Sequence, residues 1–196
     1  ETEEQETVAA ISELIEYYKG IFTILSSCAS RQLEEVTFRR ATISVPELMA
    51  TAGKYFRKVY KGNKAHIDFK IQPLEGRITG DWNQLRFLLE NLIDEACSVT
   101  LDGAVCLSAR EDGEFIRFLF IDMRREKTRE ELNQLFYPDL SRMTAGEKGE
   151  LYGTEYLVCK QIIRDHDEFA GRRGCRINAE PGKEGGFTIY FTLPKK

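Results

Sequence analysis

Within the stretch DWNQLRFLLENLIDEACSVT (81–100), Asn91 and Glu95 stand four residues apart. On a helix that spacing puts an amide and a carboxylate on one face, one turn above the other. Glutamate is a hard oxygen donor of the kind Mg2+ accepts. A further carboxylate, Asp122, ends the apolar run FIRFLFID (115–122), with Arg124 and Arg125 close behind it. The two histidines, His66 and His166, lie far apart in sequence. There is no G-x-S-x-G motif and no Cys/His pair in local context, so nucleophilic hydrolysis has no candidate residues. Cys28, Cys97, Cys106, Cys159 and Cys175 form no C-x-x-C pair, and their number is odd. That pattern favours reduced, mostly buried thiols in a cytoplasmic setting over a disulfide framework or a zinc site.

Several elements must position these groups. Asp81 is placed to cap the 81–100 helix through its side-chain oxygen. Leu85, Leu88, Leu89, Leu92, Ile93 and Ala96 recur at three- and four-residue steps and predict its buried stripe. Before it, TISV (42–45) reads as a short strand, and Pro46 opens a helix to about residue 60 that Ser44 could cap. Ala65, Ile67, Phe69 and Ile71 alternate with polar residues as a half-buried strand, and a short strand at 77–79 leads into the Asp81 helix. Two strands follow at about 104–110 and 115–121, joined by the turn Glu111-Asp112-Gly113-Glu114. Thr128 with Glu131 makes a capping box for a short helix ending near Phe136. The segment 138–152 is polar and irregular. A helix over 154–166 and strands near 175–179 and 187–193 complete the chain, with Gly185-Gly186 serving the last hairpin. Mixed helices and hairpins in this order predict an α+β sandwich, one layer of helices on a largely antiparallel sheet.

The leading segment, about 3–35, has no proline and a single glycine. Ile11, Leu14, Tyr18, Ile21, Leu25 and Cys28 follow a three-four spacing widened by Ile15, Phe22 and Ala29. This is either a long helix packed on its own domain or a dimerisation helix, and its length favours the second. At 196 residues the chain fits one domain with such an appendage, and a 42% hydrophobic content is enough for a packed core. A net charge of −4 without a basic stripe gives no reason to expect nucleic-acid binding. No run has the length of a transmembrane helix. The chain starts at Glu1 without a methionine. It is expected to be a piece of something longer, with any membrane attachment upstream.

The 81–100 helix resembles the nucleotide-site helix of histidine kinases and other GHKL ATPases, patterned D-x-x-x-L-x-x-x-x-x-N-L-x-x-N-A. Four further segments resemble that family in order: FIRFLFID, whose Asp122 matches the adenine-reading aspartate; ELNQLFYP, with Phe136 at the family's phenylalanine; GTEYLVCKQIIRDHDEFAG, with Lys160 and His166 at its lysine and histidine; and the closing strand GGFTIYFTLP. The resemblance implies a GHKL (Bergerat-like) two-layer α/β sandwich over residues 39–196, similar to a sensor kinase's catalytic and ATP-binding domain. It implies that residues 1–38 are a helical segment similar to the second helix of the dimerisation domain. The resemblance implies that Asn91, Asp122, Gly153 and Lys160 would line the nucleotide site together with Arg142 and Lys148, the alternative for the three basic residues being surface charge. Glu95 takes the place of the family's magnesium-ligating asparagine.

Other positions depart from the pattern. Arg124 and Glu126 stand where the D-x-G-x-G loop has its glycines, and Glu155 replaces a lid glycine beside Gly153. A tight turn against a base needs glycine, and a carboxylate facing a triphosphate repels it. Asp122 therefore has two readings. It recognises adenine, or it ends its strand in a salt bridge to Arg124 or Arg125 that fills the pocket, and the lost glycines favour the second. His66 reads as a surface residue on a strand's polar face, and His166 as part of helix termination. The leading segment carries no histidine, so a phosphoacceptor would have to lie elsewhere. The segment RDHDEFAGRRGC (164–175) inserts residues between the family's histidine and glycine, as a contact surface or a solvated loop.

The expectation is a degenerate histidine-kinase-like domain of bacterial two-component signalling, cytoplasmic and homodimeric through its leading helix. It would lack productive Mg-ATP binding and would contact a response regulator or another signalling protein. One alternative is a divergent kinase that holds Mg-ATP through Asn91, Glu95 and Asp122 and phosphorylates a histidine outside this chain. Another is a switch that binds ATP without transferring phosphate.

Overall fold

The computed structural model describes residue 7 and residues 38–62, 64–136, 154–183 and 185–196. The dimerisation seam, Arg142, Lys148 and Gly153 lie outside the described residues. The order is β1 (Arg40–Ser44), α1 (Val45–Val59), a 3-10 turn (Tyr60–Gly62), β2 (Ile67–Gln72), β3 (Arg77–Asp81) and α2 (Trp82–Ser98). Then come β4 (Gly103–Asp112), β5 (Phe115–Asp122), α3 (Arg129–Gln134), α4 (Thr154–Phe169), β6 (Ile177–Pro181) and β7 (Phe187–Pro194).

The main sheet runs β2-β4-β5-β7-β6. Its β2–β4 pair is parallel, as the long connection through β3 and α2 allows, and the other pairs are antiparallel. β1 and β3 form a separate antiparallel pair, with Arg40 opposite Asp81. That pairing starts β1 at Arg40, two residues before the strand expected from the TISV pattern. Along β5 burial alternates residue by residue, so Ile116, Phe118 and Phe120 face the core. Phe118 stacks on Phe191 of β7 with ring centroids 5.0 Å apart. The helices cover this face: Leu85, Leu88, Leu89 and Leu92 of α2, with Leu48 and Met49 of α1, are fully buried, and Ile163 of α4 nearly so. Among the described residues, no helix is long and apolar enough to cross a membrane.

Local chemistry sets the helix ends. Ser44 caps α1, and Thr128 and Glu131 form the reciprocal capping box of α3. Asp81 uses Oδ1 to accept the Asn83 and Gln84 amides at 2.9 and 3.1 Å, while its Oδ2 accepts the Arg39 amide at 2.7 Å. α4 continues past His166 to Phe169 and stops before Gly171, whose φ of +92° suits a helix end. The inserted segment folds around Asp167, which accepts the Gly174 and Cys175 amides at 2.6 and 2.9 Å and pairs with Arg173. Arg172 pairs with Glu114 in the β4–β5 turn. Burial, with the Asp167 carboxylate nearby, pushes the Cys175 thiol up to about 12.

His166 is a buried strut between α4 and β3. Its Nδ1 lies 2.8 Å from the Ile162 carbonyl and its Nε2 accepts the Asp81 amide at 3.0 Å, which requires the neutral ring protonated at Nδ1. Gly80 leaves room for it, since a Cβ there would come 2.8 Å from Nε2. Burial lowers the imidazole below its ordinary value and outweighs the Ile162 carbonyl and the Asp81 charge, which raise it. The unfolded ring titrates near about 6.5, so this contribution is complete above that pH and is lost as pH falls toward the lowered native value. Urea denaturation at pH 7.5 and 5.5 should show a loss in this window, with a slope of at most about 1.4 kcal/mol per pH unit from this group. His166→Phe should cost about 1–3 kcal/mol at pH 7.5, because it orphans the Asp81 amide, and should flatten that dependence. An unchanged pH slope in His166→Phe would remove the strut from the account.

Candidate functional site

The alternation that buries Phe118 and Phe120 also points Asp122 at the core face, where its side chain is 0% exposed. A carboxylate there must be paired. Arg124, also 0% exposed, supplies a two-pronged partner: Nε donates to Oδ1 at 2.9 Å and Nη2 to Oδ2 at 2.8 Å. Its backbone amide adds a third bond to Oδ1 at 3.0 Å. The same guanidinium reaches the end of α2, donating to the Ala96 carbonyl at 2.8 Å and to the Leu101 carbonyl at 3.3 Å. α2 ends at Ser98 with Val99 extended, so an arginine from beyond β5 satisfies one of its last carbonyls. Gly103, at φ +137°, lies against the arginine stem, and a Cβ there would come 2.9 Å from Arg124 Cγ.

Arg125 occupies the other side of the carboxylate. Its Nη2 lies 3.1 Å from Asp122 Oδ2, its Nη1 donates to Glu95 Oε1 at 3.1 Å, and its guanidinium lies over the Phe187 ring at 5.3 Å. Of the two readings of Asp122, the structure contains the ion pair, and with both arginines. Burial alone would raise the Asp122 carboxyl. The Arg124 hydrogen bonds and the two arginine charges outweigh it and hold the group below the ordinary carboxylate value. Burial works against the Arg125 charge, but the Asp122 carboxylate and then Glu95 more than offset it, so its pKa is raised.

The remaining expected residues stand around this cluster. Glu95 is tied to Arg125 and 21% exposed. Asn91 donates to the Phe87 carbonyl of its own helix at 2.7 Å. Lys160 on α4 donates to the Phe136 carbonyl at 3.2 Å, and so joins α4 to the segment after α3. Tyr156, one turn before Lys160, is buried with its ring edge-on to Phe136 at 6.0 Å. Burial, then the Glu95 charge, raise its phenol well above the ordinary value, so it stays a neutral hydroxyl. Sequence reasoning missed Tyr156, and also missed that Arg125 joins Asp122 to Glu95. The i,i+3 spacing of Asp122 and Arg125 was the one available signal. His66 is exposed just before β2, its amide donating to Asp102 at 2.7 Å. Among the described residues no cluster of three or more His, Cys, Asp or Glu is placed to hold a metal ion. The cluster holds charge and hydrogen bonds in fixed positions and presents no nucleophile paired with a base.

No protein-family model matches the sequence, and no curated protein matches it either. Solved structures do match the fold. The Acinetobacter baumannii histidine kinase AdeS aligns over 92% of this chain and 79% of its own, at 13% identity and a TM-score of 0.65. The catalytic domain of histidine kinase ThkA aligns over 80% of this chain and 96% of its own, at 18% identity and a TM-score of 0.58. ThkA in complex with response regulator protein TrrA aligns over 91% of this chain and 49% of its own, at 16% identity and a TM-score of 0.60. The described residues from 38 onward therefore share the fold of the histidine kinase catalytic domain.

Proposed function

We propose that this chain is a degenerate sensor-histidine-kinase-like domain of bacterial signal transduction, working without productive ATP binding or phosphotransfer. One observation carries the reading: both oxygens of Asp122 already accept from arginines of the same chain, and neither Asp122 nor Arg124 is exposed. A nucleotide base seeking that carboxylate would have to displace a bidentate guanidinium, among the stronger pairings available to it. Glu95, the one candidate metal ligand, is engaged by Arg125. On this reading the described residues do not fit Mg-ATP. Arg124 and Glu126 in place of glycines, and Glu155 beside Gly153, support the same reading from the sequence.

On this reading the domain acts through contacts. A response regulator is the partner class that the ThkA–TrrA complex suggests. The reading also includes a second copy of the chain, through the leading helix, and a cytoplasmic location.

Thermal melting with and without millimolar Mg-ATP or Mg-ADP tests the proposal, and no shift is expected. A nucleotide bound at a hundredfold excess over its Kd would add about 2.7 kcal/mol. A clear rise abolished by Asp122→Asn would establish instead the divergent kinase or the ATP-holding switch. Labelled phosphate appearing on a histidine outside this chain would then separate those two. In the protein without nucleotide, Asp122→Ala should cost about 3–5 kcal/mol by urea denaturation, because it leaves the Arg124 cation buried and unpaired. A loss under about 1 kcal/mol would mean the pair is solvated like a surface bridge.

A further inference from the structure

We propose that Arg124 is the site's own ligand: its guanidinium fills a receptor built for one planar N–H donor cation, and that receptor takes amidinium or guanidinium compounds once the side chain is removed. This rests on the reading that the site does not hold nucleotide.

The receptor is made of acceptors that converge from separate segments. Asp122 at the end of β5 offers two carboxylate oxygens, α2 offers the Ala96 carbonyl, and the loop after it offers the Leu101 carbonyl. All accept from one planar group, at 2.8–3.3 Å. A lysine ammonium could meet one or two of them but not the parallel pair on the carboxylate, which needs a flat fork. The wall is cut back where the stem passes, since Gly103 replaces a Cβ that would press on Arg124 Cγ. Arg125 belongs to the wall. It neutralises part of the Asp122 charge from the other side and is anchored separately on Glu95 and Phe187. Removing the Arg124 side chain leaves those walls on elements held by the hydrophobic core, so the space is refillable. An ordinary surface ion pair would leave nothing to refill.

Arg124→Ala lacks the two methylenes and the guanidinium, which together are ethylguanidine. Melting of Arg124→Ala with millimolar ethylguanidinium should rise by about 5–10 °C once the compound reaches a hundredfold excess over its dissociation constant. Wild type, and Arg124→Ala combined with Asp122→Asn, should not respond. Ethylammonium, which has the charge without the fork, should not replace it. No rise, or an equal rise with ethylammonium or in wild type, overturns the proposal. If Arg124→Ala does not fold, 15N NMR of arginine side chains in wild type decides. One Nε–H should exchange slowly and its Nη groups should not be averaged by rotation, with that signal lost in Arg124→Lys. Its absence overturns the proposal. A wild-type melting shift with Mg-ATP would sink the functional reading by itself, whereas failed rescue without such a shift sinks only this inference.

Discussion

The structure turns on one consequence of strand geometry: a charged residue at an even step of an otherwise apolar alternation has nowhere to point but inward. On β5 the series Ile116, Phe118, Phe120 ends in Asp122, and the pleat sends all four toward the helices. An ion in that position is tolerable only with matched donors. The chain just after the strand provides them, and one of these donors, Arg124, also closes the end of α2. A single buried charge thus ties the sheet to the helix layer.

This arrangement accounts for what the sequence departs from and what it keeps. Glycines in the turn after Asp122 would leave the carboxylate open, while arginines close it from within. Glu95 keeps its face of α2 and pairs with Arg125. The helices and strands take their stability from the leucine stripe of α2 and the phenylalanine stack of β5 and β7.

Much of the fold was legible because its signals are local. Asp81, Thr128 with Glu131, and Ser44 announce helix starts within three residues, and the α2 stripe names its own buried face. The pairing of Asp122 with an arginine could be anticipated for the same reason, since only two or three residues separate them. What stayed hidden joins distant segments. Nothing local shows that the His166 ring accepts an amide 85 residues away, that Gly80 makes space for it, or that Arg124 reaches the Ala96 carbonyl. β1 began earlier than its apolar pattern suggested because Arg40 gains its place from pairing opposite Asp81, a partner about forty residues on.

That double use of Asp81 has a mechanical meaning. One oxygen caps α2 while the other grips the Arg39 amide, and Phe38 beside it packs edge-on to the His166 ring at 4.9 Å. Tension arriving along the chain from the amino-terminal side is therefore borne first by the opening turn of α2 and by the His166 strut, before any strand of the five-stranded sheet is loaded. The clamp thus couples the entry of β1 to the helix that carries Asn91 and Glu95.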